Sequence, residues 1–185
     1  MLLKFENLEV DANIFLSLVE LKDADEIFAL VNSSRSYLRE WLPWVDLNKT
    51  SEDTREFIKS AQQQYSDRNG FHCCIKYKTK IAGIVGFHRI DWTNQTTELA
   101  YWLGEGYQGL GLMTKCCRVL TNYAFAFDNL NLNRVEIRAN NLKSAAIPER
   151  LGFSQEGILR EAEWVNNRFV DNIVYSMLQK DWNRS

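Results

Sequence analysis

The sequence predicts a mixed α/β domain in which helices pack on a single sheet. Three observations support this fold class. Several segments alternate like strands beside short polar turns, others repeat apolar residues at helical spacing, and one glycine turn joins a predicted strand to a long amphipathic segment. A chain of 185 residues is long enough to bury about two-thirds of its unfolded surface without disulfides or metal ions. We therefore expect one domain over residues 1–185.

The first part of the chain is predicted to form a strand followed by three helices. The apolar run from Ile14 to Leu21 is typical of a strand, and Asp23 is suited to cap the helix after it. Two short helices follow, and Pro43 ends the second. Thr50 and Asp53 resemble a capping box, which predicts the start of a third helix.

The rest of the chain is predicted to alternate between strands and helices. Two runs at 71–77 and 80–92 predict an antiparallel hairpin, in which Gly83 and Gly86 mark a bulge or close packing. The remaining elements are a strand at 98–103, a helix from 112 to near Phe127, a strand at 134–139, a helix at 142–151 ending at Gly152, and strands at 153–165 and 168–178 around an Asn166-Asn167 turn. This order gives about seven strands.

The charge pattern argues against a nucleic-acid or membrane partner. The chain carries 22 Lys and Arg against 24 Asp and Glu, a formal net charge of -2 at pH 7. Residues 1–6 lack a basic stretch followed by an apolar core, and no run of about 18 apolar residues occurs. We expect a cytoplasmic protein.

The four cysteines occur as two adjacent pairs, Cys73-Cys74 and Cys116-Cys117. Neither pair has the C-x-x-C or Cys/His spacing that zinc prefers. We expect reduced, buried thiols that pack as small hydrophobic groups, and no metal site.

The segment Gln108–Thr114 is the strongest candidate for a binding site. It joins a predicted strand to a predicted helix, where free backbone N–H groups and the positive end of the helix dipole favour a phosphate. The residues after Gly109 and Gly111 match neither the P-loop nor the dinucleotide-binding fingerprint. Alone, the motif is also compatible with a tight turn that binds nothing.

A second motif follows the next predicted strand and changes this interpretation. It begins with Asn141-x-x-Ser144 and ends in Leu151-Gly152-Phe153. Together with Gln108-x-x-Gly111, it resembles the GCN-related N-acetyltransferase (GNAT) superfamily, in which glycine or alanine usually stands at the place of Met113. The resemblance implies a mostly antiparallel mixed sheet flanked by helices.

The similarity covers most of the chain. Residues 156–160 and 171–176 are similar to the C-terminal hairpin of the RimJ/RimL-like branch, whose members are ribosomal-protein N-acetyltransferases. Relatives with this hairpin often form dimers, so the resemblance implies a homodimer or a higher homo-oligomer.

The resemblance also implies that acetyl-CoA binds in a gap between the fourth and fifth strands. The backbone of Trp102 and Leu103 would hold the pantetheine like an added strand, and one of their N–H groups would polarise the thioester carbonyl. Asn141 would orient the cofactor or cap its helix. The diphosphate would lie on the amides of Gln108, Gly109, Leu110, Gly111, Leu112, Met113 and Thr114.

Acetylation of an amine requires a base, because α-amino groups with a pKa near 7.7–8.0 and lysines near 10.4 are largely protonated at neutral pH. Glu161 and Glu163 share one predicted strand face with apolar residues. Apolar surroundings raise the pKa of a carboxyl group, which makes the carboxylate a better proton acceptor. They are also compatible with a solvated face of an exposed hairpin. The resemblance favours Glu163 as the base.

The leaving thiolate requires a proton donor, and Ser144 is the candidate, although it is also suited to a hydrogen bond at the helix start. Many members of the superfamily have a tyrosine four residues later, where this chain has Pro148.

Two tryptophans and two histidines complete the candidates. Trp41 and Trp44 lie where the superfamily builds its acceptor wall, and core packing explains them equally well. His72 and His88 lie in a hairpin before the glycine turn, so we interpret them as packing or surface residues.

The residues and the resemblance together predict an acetyl-CoA-dependent N-acetyltransferase that transfers the acetyl group directly to a primary amine. The favoured acceptor is an N-terminal α-amine of a protein, as in ribosomal-protein acetylation. Two alternatives stay open: a small-amine acetyltransferase acting on a polyamine or an aminoglycoside, and a non-catalytic acyl-CoA-binding module.

Overall fold

One sheet crosses the molecule and contains eight strands: β1 (Leu8–Asp11), β2 (Ile14–Leu18), β3 (Phe71–Tyr77), β4 (Lys80–Asp91), β5 (Thr96–Leu103), β6 (Arg134–Ala139), β7 (Ser154–Val165) and β8 (Arg168–Leu178). A computed structural model gives this architecture and describes residues 5, 7–126 and 134–182. The strand order is β1-β2-β3-β4-β5-β6-β8-β7. Neighbouring strands are antiparallel except β5 and β6, which are parallel. The predicted mixed, mostly antiparallel sheet is confirmed.

The sequence did not predict β1, so the sheet has eight strands rather than about seven. This strand is four residues long and pairs with β2 at the edge of the sheet. The Asp11 carboxylate accepts the N–H of Asn13 at 2.9 Å and shapes the turn between the two strands. Leu8 and Val10 of β1 pack against the core, and two apolar residues are too few for a periodic signal.

Helices cover both faces of the sheet: α1 (Ala24–Ser33), α2 (Arg35–Leu38), α3 (Ser51–Ser66), α4 (Leu112–Ala126), α5 (Leu142–Arg150) and α6 (Gln179–Trp182). Buried residues of α4 and α5 belong to the larger core cluster, and those of α1 and α3 to a second cluster. Because Val85 and Ile84 of β4 belong to different clusters, the clusters lie on opposite faces. The sequence did not predict α6, and Phe127 lies outside the described residues. None of the helices within 7–126 and 134–182 has the length and apolar character needed to cross a membrane.

The helix ends confirm two cap predictions and correct a third. Thr50 Oγ1 accepts the N–H of Asp53 at 3.3 Å, and the Asp53 carboxylate accepts the N–H of Thr50 at 2.7 Å. Gly152 follows α5 with a φ of +77°, as a glycine after a helix commonly does. Asp23 stands at the predicted N-cap position of α1, but its carboxylate makes no capping bond to that helix and instead accepts the N–H of Glu20 at 3.0 Å.

The four cysteines are buried free thiols, as the sequence predicted. Burial raises the pKa of each thiol above its ordinary value. The thiols therefore stay protonated at neutral pH and pack as small apolar groups.

Two glycines allow β4 to approach its neighbours closely, as predicted. A Cβ on Gly83 would collide with the carbonyl oxygen of Trp102, and a Cβ on Gly86 would collide with that of Phe71. A register shift in the β3–β4 pairing also lies beside Gly83. The Gly83 contact fixes the position of β5 relative to β4, and the Gly86 contact fixes that of β3.

The sheet opens between its two parallel strands. Residues 96–99 of β5 pair with residues 134–137 of β6. Beyond them, β5 continues to Leu103 along β4, and β6 continues to Ala139 along β8. The gap predicted between the fourth and fifth strands therefore lies between β5 and β6, one number later because β1 precedes them.

Candidate functional site

A cavity of about 1790 Å³ lies where β5 and β6 separate. Its lining combines the turn before α4 and the start of α5 with α3, the loop after α2 and the strand β7, which lie elsewhere in the sequence. Leu110 does not line it and is 49% exposed. The other predicted site residues all line it: Trp41, Trp44, Trp102, Leu103, Gln108, Gly109, Gly111, Leu112, Met113, Thr114, Asn141, Ser144 and Glu163.

The glycine turn has the backbone conformation that a strand-to-helix turn needs. Gly109 has a φ of +74° and Gly111 a φ of +72°, values that other residues rarely adopt. A Cβ at either position would meet nothing within 4 Å, so the conformation rather than the packing requires glycine. Helix α4 begins at Leu112, and Met113 is 4% exposed and packs in the larger core cluster. The turn therefore leaves open space in front of the N-terminus of α4, where an anion binds favourably.

Lys143 and Arg150, which no sequence motif singled out, lie beside this turn. Lys143 Nζ donates to Gln108 Oε1 at 3.0 Å, and Arg150 Nη1 donates to Thr114 Oγ1 at 3.3 Å. Lys143 and Arg150 stand seven residues apart on α5, a spacing that puts them on one helix face. That spacing is visible in the sequence, but it indicates a binding surface only because α5 packs beside the turn. The two positive charges and the backbone N–H groups suit a diphosphate.

The start of α5 is tied to the end of β6 by two asparagines. Asn141 is the N-cap, and its side-chain oxygen accepts the N–H of Ser144 at 2.9 Å. Asn141 Nδ2 in turn donates to Asn140 Oδ1 at 3.0 Å. Both amides are thus oriented, because each oxygen accepts while each nitrogen donates. The sequence allowed Ser144 a hydrogen bond at the helix start. The backbone N–H of Ser144 makes that bond to Asn141, and the residue also lines the cavity.

Asn140 connects this chain of hydrogen bonds to Glu163. Its Nδ2 donates to Glu163 Oε2 at 3.3 Å and to the carbonyl oxygen of Trp41 at 3.1 Å. No local pattern in the sequence selects Asn140, because its partners lie 23 and 99 residues away. One amide therefore orients the candidate base and holds the loop that carries Trp41.

A bulge in β7 separates the two glutamates that the sequence placed on one strand face. The pairing of β7 with β8 shifts between Leu159 and Glu163, and Glu161 lies inside this bulge with a φ of +50°. The N–H of Glu161 donates to the Asp171 carboxylate at 2.8 Å. Glu163 lines the cavity, whereas Glu161 is exposed outside it. The predicted shared face is therefore wrong.

Aromatic side chains form the wall of the cavity beside α1 and α3. The rings of Trp44 and Trp102 lie 5.8 Å apart, and Trp41 and Tyr37 line the same space. Trp44 also packs against the second core cluster, so it combines core packing with a place in the wall. This surface suits an acceptor with an apolar or planar group next to its amine.

Two histidines that we interpreted as packing or surface residues also line the cavity, at the end beside α3. The rings of His72 and His88 lie 6.4 Å apart, and His72 contacts the edge of Phe57. Burial, with a smaller effect from His88, lowers the pKa of His72 to about 4, so His72 is neutral at pH 7. Within the described ranges, no three His, Cys, Asp or Glu side chains cluster as a metal ion would require.

Comparison with known proteins identifies the family of this chain. The family model for the acetyltransferase (GNAT) domain matches residues 13–154. The putative ribosomal N-acetyltransferase YdaF of Bacillus subtilis is 37% identical over 178 residues, which cover 94% of this chain and 96% of the relative. The ribosomal-protein-serine acetyltransferase of Escherichia coli is 25% identical over 173 residues, which cover 94% and 97%.

A solved structure adds the cofactor to this comparison. The microcin C7 self-immunity acetyltransferase MccE, in complex with acetyl-CoA and AMP, is 33% identical with a TM-score of 0.86. The match covers 91% of this chain and 94% of that one. The chain belongs to the GNAT acetyltransferase family and is an acetyl-CoA-dependent N-acetyltransferase.

Proposed function

We propose that the acceptor is an N-terminal α-amine of a protein, of the kind modified in ribosomal-protein acetylation, and that Glu163 is the base. The observation that carries the proposal is the Asn140–Glu163 hydrogen bond of 3.3 Å inside the cavity. Supporting it, two relatives that align along nearly their whole length carry ribosomal acetyltransferase names.

Acetyl-CoA would bind from the side of the glycine turn. The backbone N–H groups of Gln108–Thr114, with Lys143 and Arg150 beside them, would bind the diphosphate. The unpaired edge of β5 at Trp102 and Leu103 would hold the pantetheine, and Asn141 would orient it. Acetyl-CoA would reach these groups without movement of the strands, because β5 and β6 are already separated there.

The chemical step would need one proton acceptor and one proton donor. The neutral amine attacks the thioester carbonyl carbon, a C–N bond forms, and the C–S bond breaks. Glu163 would take the proton that the amine loses, and the Ser144 hydroxyl would protonate the leaving thiolate while it takes a proton from water. An α-amine suits this arrangement, because its ordinary pKa of about 8 leaves far more neutral amine at pH 7 than a lysine with a pKa near 10.4.

The charges in the cavity favour a single amine over a polyamine. Four carboxylates line the described part of the cavity: Glu163, which accepts the Asn140 amide, and three others that are engaged in a helix cap or in an ion pair with a cation. Asp53 accepts hydrogen bonds from Thr50, Glu56 pairs with Lys59 at 2.6 Å, and Glu98 lies 3.5 Å from Arg138. A polyamine needs several available carboxylates at intervals, whereas one amine needs only Glu163.

A second acceptor class is favoured by one comparison. MccE, 33% identical to this chain, was solved with AMP as well as acetyl-CoA. The aromatic wall formed by Tyr37, Trp41, Trp44 and Trp102 offers rings on which a nucleobase can stack. An amine carried on a nucleotide is therefore the alternative acceptor, and inhibition of peptide acetylation by AMP would favour it.

Acetyl transfer to a panel of amines would test the proposal. The panel contains peptides with free serine or alanine N-termini, the same peptides with a blocked N-terminus and one lysine, spermidine, and an aminoacyl-nucleotide analogue. We expect thiol release and an acetylated α-amine, identified by mass spectrometry, with the free N-terminal peptides. Transfer only to spermidine or to the nucleotide analogue would contradict the proposal, and binding of acetyl-CoA without any thiol release would favour a non-catalytic module.

A further inference from the structure

We propose that Tyr101 is a positioning residue that holds the first turn of α5 by making the hydrogen bond that Pro148 removes. Its hydroxyl donates to the carbonyl oxygen of Ser144 at 3.0 Å. The inference rests on the proposed function only for the role of that turn in binding acetyl-CoA.

Pro148 leaves a helix carbonyl without its usual donor. Helix α5 runs from Leu142 to Arg150 with Pro148 inside it. In an α-helix the carbonyl of Ser144 accepts the N–H of residue 148, but proline has no N–H, and its ring pushes against that carbonyl. A carbonyl at a partly buried site that loses its donor destabilises the structure.

Tyr101 is suited to supply the missing donor. It lies on β5, 43 residues before Ser144, at the point where β5 no longer pairs with β6. Burial raises the pKa of Tyr101 well above its ordinary value, so the phenol keeps its proton and donates it in a hydrogen bond. The bond therefore spans the open gap and joins β5 to α5.

The held turn carries residues of the candidate cofactor site. Asn141 caps α5, Ser144 accepts the Tyr101 bond, and both line the cavity. If the Ser144 carbonyl loses its donor, the first turn of α5 can move away from β5 and widen the gap. The consequence would be weaker binding of acetyl-CoA, together with a less stable helix end.

The pair Tyr101 and Pro148 allows a double-mutant test in the full-length protein. Tyr101→Phe should lower the melting temperature by about 4 °C and weaken acetyl-CoA binding about fivefold. Pro148→Ala restores an N–H to the helix, and the Ser144 carbonyl has two lone pairs, so it can accept both donors. In the Pro148→Ala background, Tyr101→Phe should therefore cause less than half of the drop in melting temperature and less than half of the loss of binding free energy.

Tyr175→Phe is the matched control. Tyr175 is a buried tyrosine on β8, and its hydroxyl also bonds to α5, but to the Glu149 side chain at 2.9 Å. Its loss should destabilise the protein to the same extent with and without Pro148→Ala. Amide exchange at Ala145, whose N–H bonds to the Asn141 carbonyl at 2.9 Å, should quicken in Tyr101→Phe and not in Tyr175→Phe.

Equal losses from Tyr101→Phe in both backgrounds would overturn the inference. So would turnover that drops at least about 100-fold in both backgrounds while acetyl-CoA binding stays intact, because the phenol would then act on the thioester itself. If Tyr101→Phe does not fold, folding of the double variant supports the inference and its failure to fold contradicts it. Melting, binding and exchange need no acceptor amine, so these readouts stand even if no α-amine is acetylated.

Discussion

The side-chain amide of Asn140 lies between Glu163 and the backbone of Trp41, at 3.3 Å from the Glu163 carboxylate and 3.1 Å from the Trp41 carbonyl. One residue at the end of β6 thus connects the candidate base on β7 with the loop of the aromatic wall. Because a side-chain amide has two N–H donors, both bonds can form together. The proposed chemistry depends on this arrangement, and each part of it can be changed separately.

Replacing the candidate base should slow the reaction strongly without changing the affinity for acetyl-CoA. Glu163→Gln removes the proton acceptor and keeps the shape of the side chain, so kcat should fall about 100-fold or more. Acetyl-CoA binding, measured by calorimetry, should change less than twofold. Glu161→Gln is the control, because that residue lies in the bulge outside the cavity and should keep its turnover. A Glu163→Gln enzyme that releases thiol at the wild-type rate would exclude Glu163 as the base.

Asn140→Ala should lower kcat about tenfold and also raise the KM for the acceptor, since it removes a hydrogen bond to a charged group and frees the Trp41 loop. The control is Asn166→Gly, because glycine keeps the positive φ of +51° at this turn without strain. Asn166 Nδ2 donates to the Arg39 carbonyl at 3.1 Å and so holds the same loop without touching Glu163. We expect it to raise only the KM. Steady-state kinetics with a peptide acceptor separate the two effects, and identical kinetics for both variants would contradict an orienting role for Asn140.

The two cations beside the glycine turn should contribute to cofactor binding through charge. Lys143→Met and Arg150→Met should each weaken acetyl-CoA binding about threefold to tenfold at 0.1 M salt, with a smaller loss at 1 M salt, where charges are screened. Lys80→Met, an exposed lysine at the start of β4, is the control for a general change of charge. Unchanged binding in both variants would mean that the backbone amides of the turn suffice.

The stability of the protein should fall at acidic pH because of His72. Its pKa is about 4 in the folded protein and 6.5 in the unfolded chain, so the unfolded chain binds the proton first. The contribution of His72 to the free energy of unfolding is therefore complete above pH 6.5. It decreases as the pH falls toward 4, by up to about 3 kcal/mol. His72→Gln should flatten the curve of unfolding free energy against pH over this window, measured by urea denaturation. The exposed His88 is the comparison, and a curve that His88→Gln flattens more than His72→Gln would contradict the assignment to His72.

Features encoded by neighbouring residues were predictable from the sequence. The capping box at Thr50 and Asp53, the strand at 134–139 and the strand-to-helix turn with Gly109 and Gly111 all appear as predicted. These features depend on hydrogen bonds and φ values within a few residues, so their signal lies within a few residues too.

The prediction from sequence was wrong where a bulge interrupts the alternation of strand β7. Alternation placed Glu161 and Glu163 on one face, but a bulge held by the Asp171 carboxylate turns only Glu163 into the cavity. Nothing in a period of two reveals the two inserted residues, because the bulge depends on the partner strand.

By itself, the sequence determined the type of protein, since the two motifs around Gln108–Gly111 and Asn141–Ser144 carry the family's spacing. Only the tertiary structure decided which residues surround them. Lys143 and Arg150 reach the turn, Asn140 reaches Glu163, and Tyr101 reaches the Ser144 carbonyl. These contacts join residues that lie 23 to 43 positions apart, and the packing of α5 and the opening between β5 and β6 bring them together.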